Sequence, residues 1–512
     1  MRLNRVKNTK RNIIWGTAEK AITMLFPFVV RTAFLAILGD EYLGLNGLFS
    51  SILQVLNLAE LGFSNAVVYS MYRPIAEDDI DQICALMNFY KRIYRVIGSV
   101  VVGIGLLLLP FLPHLIKGSI PTGFNIYILY LIYLFNTAIG YFLFEYKNCL
   151  LNAYQREDIV SVVNIFCTIF LYSFQLIVLI LTRNYYFYVV VIPVTTILGN
   201  IAKAALSSKI FPNLNCAGGL DTNEKKEIRK NVVGLFIGKA CIISRNSFDS
   251  IFLSAFLGLK VVAIYGNYFY IITAINGVLL MARNAISAGV GNSIAINSVT
   301  KNYSDFQKLS LIYAWIAGWC SVCLLTLFQP FMICWVGKDL LFQFPTVILL
   351  CVYFYSMTPG ELRSVYSNAA GLFWEGRYYV ITEAVLNIFL NYIMGKVWGV
   401  NGIITATIIT IIFVNFVWGT IVLFRYYFIG IQVKKYFTYQ LYYLIATLVA
   451  SIVTLGVSNF IGISGIGGLI VKGIICLIVP NCIFAMMYYR VSFFKESIEL
   501  VKRMLVTKTG KG

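Results

Sequence analysis

Long apolar runs alternate with short polar breaks along the whole chain. Most runs hold the roughly 20 residues that an α-helix needs to cross the hydrocarbon of a bilayer. The pattern therefore predicts an all-α, polytopic membrane protein with about 14 transmembrane helices. Breaks at Gly, Pro, Asn and charged residues place these spans at 12–38, 43–72, 88–113, 122–146, 159–182, 186–208, 231–257, 262–293, 309–335, 342–370, 377–396, 402–425, 435–460 and 466–489.

Composition supports a membrane protein. Hydrophobic residues make up 59% of the chain and charged residues 12%, whereas a soluble domain carries about 25% charged residues. Aromatic residues reach 15%, which suits a protein that lines two membrane–water interfaces. The first apolar run is too long for the hydrophobic region of a signal peptide, so we expect it to be a retained helix.

The distribution of Lys and Arg predicts the orientation. If the N-terminus is cytoplasmic, the inner segments hold about 27 of these residues, and the outer loops hold five: Lys117, Arg183, Lys260, Lys338 and Lys396. This asymmetry is the one that the positive-inside rule requires. Both termini are therefore predicted in the cytoplasm, and the outer loops are too short for a folded domain. The net charge of +19 has the same origin, so we predict no nucleic-acid partner.

A weak internal repeat divides the chain. At a fixed offset, Leu38, Gly39, Gly47, Ile52 and Asn57 match Leu257, Gly258, Gly266, Ile271 and Asn276, and VNIF (163–166) echoes LNIF (386–389) at nearly the same offset. Such a repeat spans six helices and keeps its membrane orientation. The predicted division is an N-terminal lobe (1–210), a cytoplasmic linker (211–230), a C-terminal lobe (231–430), and a last segment (431–512) with two extra helices and a basic tail.

Cysteine and histidine indicate no metal or redox site. None of the eleven cysteines falls in an outer loop, so no disulfide framework is predicted. The CxxC of Cys320 and Cys323 lies inside an apolar span, and we interpret it as packing. The single histidine, His114, has no second histidine or carboxylate cluster beside it, so no metal or other cofactor is predicted.

Nine Lys and Arg residues lie inside the predicted spans. Five of them are close enough to a helix end for the side chain to reach water: Lys20, Arg95, Lys203, Arg363 and Lys472. Arg31, Arg245 and Arg283 lie deeper. A charge at the bilayer centre costs at least about 2.5–3.5 kcal/mol, so we expect these three arginines to face a partner or a water-filled cavity.

We therefore predict a cationic substrate-binding site formed by Arg31, Arg245, Arg283 and Lys239. The carboxylates at comparable depth are Asp249, Glu60 and Glu383, and we interpret Asp249 and Glu60 as charge partners or ion-coupling groups. Arg245 and Asp249 are four residues apart on one helix face, so a purely structural pair is the alternative for Arg245. The excess positive charge predicts an anionic cargo, and the planar fork of arginine suits phosphate.

Three segments resemble a known family: RTAFLAILGDEYLGLNG (31–47), LNLAELGFSNAVV (56–68) and FDSIFLSAFLGLKVVAIYGNY (248–268). They are similar to the polysaccharide transporter family of lipid-linked oligosaccharide flippases. That family belongs to the multidrug/oligosaccharidyl-lipid/polysaccharide exporter superfamily. The resemblance covers almost the whole chain, although Glu60 stands where the family commonly has Asp. It implies two six-helix lobes forming a V around a central cationic cavity, with the two extra helices outside.

The same resemblance implies a function. The cargo would be a sugar repeat unit on undecaprenyl pyrophosphate, moved by alternating access to the outer leaflet of a bacterial inner membrane. The product would serve O-antigen, capsule or exopolysaccharide assembly, with glycosyltransferases and a polymerase as partners beside the membrane lipids. Coupling to protons, sodium or the membrane potential is left open.

Three other functions are considered. A multidrug or cation antiporter of the same superfamily is supported by Asp249, but helix 1 carries Arg31 at depth where that chemistry favours a carboxylate. A flippase for the peptidoglycan precursor is a close variant. A polysaccharide polymerase or ligase would be an enzyme of another class, and it would need catalytic groups on a substantial outer loop. We expect a transporter and not an enzyme.

Overall fold

A computed structural model describes residues 5–57, 63–118, 123–222, 224–226, 228, 247–460 and 465–506. Every regular element in these residues is helical. The elements of the first half are α1 (Arg5–Leu38), α2 (Asp40–Leu56), α3 (Phe63–Ala76), α4 (Ile80–Leu107), a 3₁₀ segment (Leu109–Leu115), α5 (Ile126–Phe142), α6 (Glu145–Ala153), α7 (Glu157–Thr182), α8 (Tyr185–Ile210) and α9 (Ser247–Leu257).

The second half continues with longer helices. They are α10 (Leu259–Ile296), α11 (Val299–Val336), a 3₁₀ turn (Lys338–Leu340), α12 (Phe344–Ala369), α13 (Arg377–Ile409), a π-helical segment (Thr410–Trp418, the π segment), α14 (Gly419–Tyr426), α15 (Val433–Phe460), α16 (Gly465–Tyr488) and α17 (Phe494–Val506). The run from α13 to α14 is interrupted at Gly399, whose φ of 57° and ψ of −132° are not helical. This break separates the predicted spans 377–396 and 402–425.

Each of the fourteen predicted spans overlaps a described helix. Eight described helices are long and apolar enough to cross a membrane, and the number rises to ten if each of two bent pairs is one span. The bends lie between α4 and the following 3₁₀ segment (58°) and between α5 and α6 (51°). Pro110 and Pro113 explain the first bend, because proline lacks the N–H that would continue the helix. The prediction of an all-helical, polytopic membrane protein is confirmed.

The chain forms two compact units, Met1–Ala263 and Ile264–Gly512. In the first unit, α1 packs along α7, and α8 packs against α5 and α7. The predicted linker is not free of this unit where it is described. Asn88 Nδ2 on α4 donates to Gly218 O at 2.8 Å, and Gln82 Nε2 donates to Glu224 Oε1 at 2.6 Å. Leu220 is buried as well.

The first unit extends beyond the predicted boundary at 211–230, because α9 and the start of α10 pack within it. The backbone N–H of Lys117 donates to Ser254 O at 3.1 Å. A Cβ added at Gly44 on α2 would lie 2.0 Å from Leu259 O, so only a glycine allows this approach. The described contacts therefore assign α9 and residues 259–263 to the first compact unit.

Two glycines that match in the predicted repeat share a backbone conformation. Gly39 precedes α2 with φ of 94°, and its partner in the repeat, Gly258, precedes α10 with φ of 92°. Both values fall in the left-handed region, where a side chain is strained. The two matched glycines therefore each allow a turn directly before a helix, α2 or α10.

In the second unit, α11 is the central helix and packs against α12, α15 and α16. This unit contains a buried aromatic cluster, in which Phe306 stacks on Tyr436 with ring centroids 5.1 Å apart. The amphipathic helix α17 also lies on α11, and Lys308 Nζ contacts Glu496 Oε2 at 2.7 Å. The predicted extra helices, α15 and α16, are thus attached to the unit through α11.

Candidate functional site

Arg31 lies on α1 in the first unit and is partly buried. Three residues along the helix, Phe34 is buried and meets Tyr188 edge to face, with ring centroids 4.9 Å apart. The Arg31 guanidinium is close enough to Tyr188 to interact electrostatically with its hydroxyl. The structure therefore places this predicted cation at the polar edge of an aromatic cluster.

That cluster contains linked tyrosine hydroxyls that the sequence analysis missed. The Tyr133 hydroxyl donates to Asn46 Oδ1 at 2.5 Å and lies 3.2 Å from the Tyr185 hydroxyl. Tyr185 and Tyr188 stack on each other. These residues come from α2, α5 and α8, so no local sequence pattern joins them. Their only signal was the abundance of tyrosine within apolar runs.

Arg283 lies on α10 in the second unit and pairs with a carboxylate on α12. Its Nη1 is 3.6 Å from Glu361 Oε1, and the two side chains are 30% and 26% exposed. Tyr313 on α11 lies within electrostatic range of both charges. The predicted cation therefore has a partner, Glu361, that the sequence analysis did not single out.

Arg363 corrects one prediction. We expected its side chain to reach water from the end of α12, but it is only 1% exposed. Its guanidinium donates to the Tyr379 hydroxyl at 2.8 Å and to Asn415 Oδ1 at 3.2 Å. The prediction was wrong because α13 and the π segment pack over this part of α12. A charge buried this deeply must be hydrogen-bonded or paired.

The network around Arg363 includes a buried carboxylate. Asn415 Nδ2 donates to Glu383 Oε2 at 2.7 Å, and Glu383 is 6% exposed. Asn415 thus bridges an arginine and a glutamate on different helices. Gly419 makes room for the Arg363 guanidinium, because a Cβ at this position would lie 2.5 Å from Arg363 Nη1. Asn415 lies in the π segment, and such segments often occur at functional positions.

The remaining predicted residues are placed only in part. Asp249 lies on α9 and is 2% exposed. Glu60, Lys239 and Arg245 lie outside the described residues, so the Arg245–Asp249 pair stays a prediction. The part of the chain that the structure describes contains no group of three or more potential metal-binding side chains. Cys323 Sγ lies 3.9 Å from Cys476 O between α11 and α16, a packing position for the CxxC.

Comparison by sequence defines the family. The family model described as "Polysaccharide biosynthesis protein" matches residues 9–286, a little more than half of the chain. The chain therefore belongs to this family. No curated protein sequence matches it.

Solved structures define the fold. A structure of the lipid II flippase MurJ in an inward closed conformation matches with a TM-score of 0.66 at 14% identity, covering 93% of this chain and 99% of that chain. An inward-facing multidrug resistance MATE family transporter of the MOP superfamily matches with a TM-score of 0.59 at 17% identity, covering 78% and 94%. The family match confirms that the chain belongs to a polysaccharide family, as the sequence segments indicated, and the two structures show its fold.

Proposed function

We propose that this chain is a flippase. It moves undecaprenyl-pyrophosphate-linked oligosaccharide repeat units from the inner to the outer leaflet by alternating access, for cell-surface polysaccharide assembly. One observation carries the proposal: a membrane protein of a polysaccharide biosynthesis family holds partly exposed arginines, Arg31 and Arg283, inside its long helices. The flippase named among the structures with the same fold supports it.

The chemistry of such a cargo fits these side chains. A pyrophosphate cannot cross hydrocarbon unaided, and arginine offers a permanently charged, forked donor to it. The tyrosine hydroxyls beside Arg31 add neutral donors and acceptors of the kind that sugar hydroxyls require. The apolar polyprenyl tail needs no polar site and remains in lipid throughout.

The proposal includes the setting of the reaction. The protein lies in a bacterial inner membrane with both termini in the cytoplasm. Glycosyltransferases supply its lipid-linked cargo and a polymerase consumes it. A proton gradient, a sodium gradient or the membrane potential drives the cycle.

A multidrug or cation antiporter is the second candidate. It is favoured by the MATE transporters among the structures with this fold and by the buried carboxylate Asp249. A cationic drug, however, would be repelled by Arg31 and Arg283, whereas a diphosphate would be attracted. The anionic cargo therefore agrees better with the described charges.

Translocation of a labelled cargo tests the proposal. The purified protein is reconstituted into vesicles with a fluorescent undecaprenyl-pyrophosphate glycan, and arrival in the far leaflet is followed with a membrane-impermeant quencher. We expect Arg31→Ala to reduce the translocation rate at least about tenfold, because one charge-assisted contact to the cargo is lost. Arg31→Lys should keep part of the rate, because a point charge attracts phosphate without forked binding. Arg31→Glu should be inactive.

Arg92→Ala is the matched control, because Arg92 is exposed on α4 and should be replaceable without effect. Equal amounts of folded protein in all vesicles are verified by gel filtration. Efflux of a cationic dye without glycan movement would favour the antiporter. A normal rate for Arg31→Ala would remove Arg31 from the site and leave Arg283 and Arg245 as its candidate cations.

A further inference from the structure

Helix α13 directs polar side chains into the protein. Glu383, Asn387 and Asn391 follow one another at intervals of four residues, and all three are buried. Asn387 Nδ2 donates to Thr407 Oγ1 at 3.0 Å. Residues four apart lie on one side of an α-helix, so the buried face of α13 is a polar one.

The opposite face of α13 is apolar and exposed. Val385 and Phe389 are 63% and 58% exposed, and Ile381 and Tyr392 are exposed on the same face. Helices of water-soluble proteins show the reverse arrangement, with apolar side chains toward the core and polar side chains outward. A buried polar face behind an exposed apolar face is the arrangement expected of a helix in contact with lipid.

A cation and an aromatic ring lie at each end of this apolar face. Arg377 begins the helix beside Tyr378. At the other end, Lys396 Nζ lies 4.2 Å from the centroid of the Tyr392 ring and donates to its hydroxyl at 2.6 Å. The two cations are 19 residues apart, about 28 Å along a helix, and bilayer hydrocarbon is about 30 Å thick. The apolar face therefore matches the hydrocarbon in length, with aromatic and basic residues where the two interfaces would lie.

Two exposed aromatic residues hold the Arg377 guanidinium. Its central carbon lies 3.9 Å from the centroid of the Trp374 ring and 4.2 Å from that of the Tyr378 ring. Its Nη1 donates to the Trp374 carbonyl oxygen, and its Nη2 donates to the Tyr378 hydroxyl at 3.0 Å. Trp374 and Tyr378 are 68% and 60% exposed, so the guanidinium is fixed at the protein surface.

The guanidinium keeps donors for a further ligand. Arginine has five N–H donors, and the described hydrogen bonds of Arg377 use two of them. None of the contacts described for Arg377 is to a carboxylate. Glu375 is the other charged residue of this turn, and no ion pair between the two is described. The other donors of Arg377 can therefore bind a phosphate group in two places.

We propose that the apolar face of α13 contacts bilayer lipid, and that Arg377, positioned by Trp374 and Tyr378, binds the phosphate of a phospholipid head group at the predicted cytoplasmic surface. A phospholipid fits because it joins the two chemistries that meet here. Its phosphate is an acceptor for the forked donor, and its acyl chains lie along an apolar face of hydrocarbon length. The inference does not depend on the proposed cargo.

Native mass spectrometry of the full-length protein, purified in detergent and freed of lipid, tests this site. The probes are phosphatidylglycerol and a diacylglycerol with the same acyl chains, which lacks the phosphate. We expect Arg377→Ala to lower the affinity of one phosphatidylglycerol site at least about tenfold, because a charge-assisted contact is lost. The spectrum should then show one phosphatidylglycerol fewer than that of the wild type. Binding of diacylglycerol should be unchanged.

Two further variants separate charge from geometry. Arg377→Lys should bind phosphatidylglycerol with intermediate affinity, because it keeps the charge without the fork. Arg425→Ala is the matched control, because it removes the same charge from the predicted cytoplasmic side. Arg425 is exposed, and its guanidinium carbon lies 5.8 Å from the Tyr426 ring. We expect this variant to bind as many phosphatidylglycerol molecules as the wild type.

Equal binding of phosphatidylglycerol by the wild type and Arg377→Ala would overturn the inference. An equal loss of diacylglycerol binding would overturn it too, because the phosphate would then play no part. Displacement of the bound lipid by an excess of glycerophosphoglycerol, the water-soluble head group, would show a site for free phosphate esters instead. A dimer of the wild type that is absent in Arg377→Ala would show that a second copy of the chain covers this face.

Discussion

At the scale of single residues, the intramembrane arginines differ in burial and in the partners that surround their charge. The side chains of Arg31 and Arg283 are partly exposed. Arg363 is buried, and its charge is met by the Tyr379 hydroxyl, the Tyr379 ring at 4.9 Å, and the Asn415 bridge to Glu383. Arg363 therefore holds α12, α13 and the π segment together.

This difference predicts a stability effect at Arg363. Removing one partner of a buried charged network typically costs about 3–5 kcal/mol, because the remaining charge stays buried. We expect Arg363→Ala to lower the free energy of unfolding in detergent by about that amount. The double variant Arg363→Met/Glu383→Met removes both charges and should recover most of the loss. Equal stability of Arg363→Ala and the exposed control Arg425→Ala would contradict the network.

The sequence predicts the intramembrane arginines better than it predicts the residues that contact them. Hydropathy alone indicates that Arg31 and Arg283 are charges inside spans. It does not indicate Glu361 or Tyr188, because the partner of a helical residue depends on which helix faces it. Arg363 was misjudged because counting turns from the helix end assumes an open route to water, and the packing of α13 closes that route.

At the scale of elements, α2 packs so closely against the start of α10 that the contact requires glycine on α2. A Cβ at Gly44 would meet the Leu259 carbonyl at 2.0 Å, and one at Gly47 would lie 3.2 Å from Val262 Cγ1. Lys260 Nζ lies 3.6 Å from Asp40 Oδ2 at the same junction. Gly39 and Gly258, which match in the predicted repeat, thus directly precede two helices that pack on each other.

Gly44→Ala tests this junction. The added methyl group forces the backbone at Leu259 to move, so we expect a loss of about 1–3 kcal/mol in the free energy of unfolding. Gly140→Ala on α5 is the control, because nothing lies within 4 Å of its Cβ position. Alanine has the higher helix propensity, so the control should be neutral or slightly stabilising. Denaturant unfolding of both variants in one detergent makes the comparison, and equal stabilities would refute the close packing.

Element positions were more predictable than element shapes. The apolar runs predicted where helices lie, and the repeat pointed to the equivalent glycine turns. The bends after α4 and α5 and the π segment were not predicted. Their cause is non-local, since Asn415 within the π segment bonds to side chains of α12 and α13. A hydropathy pattern of period 3.6 does not record such contacts.

At the scale of the whole molecule, the family match assigns the chain to a polysaccharide biosynthesis family, and the solved structures show its fold. The MurJ structure matches 93% of this chain, whereas the inward-facing MATE structure matches 78%. The shared fold therefore extends over nearly the whole chain. The predicted bounds of the lobes stay a prediction, and the packing of α9 on the first unit is a tertiary contact that no sequence pattern records.

Orientation in the membrane is a property of the whole chain. The count of basic residues predicts cytoplasmic termini, and an even number of spans requires both termini on one side. An alkaline phosphatase fused after residue 512 should therefore be inactive, whereas a cytoplasmic fluorescent reporter there should work. The matched junction is Arg183, one of the five basic residues of the predicted outer loops, where inserted phosphatase should be active. Active phosphatase at the C-terminus would mean an odd number of spans, and the six-helix repeat would then have to be redrawn.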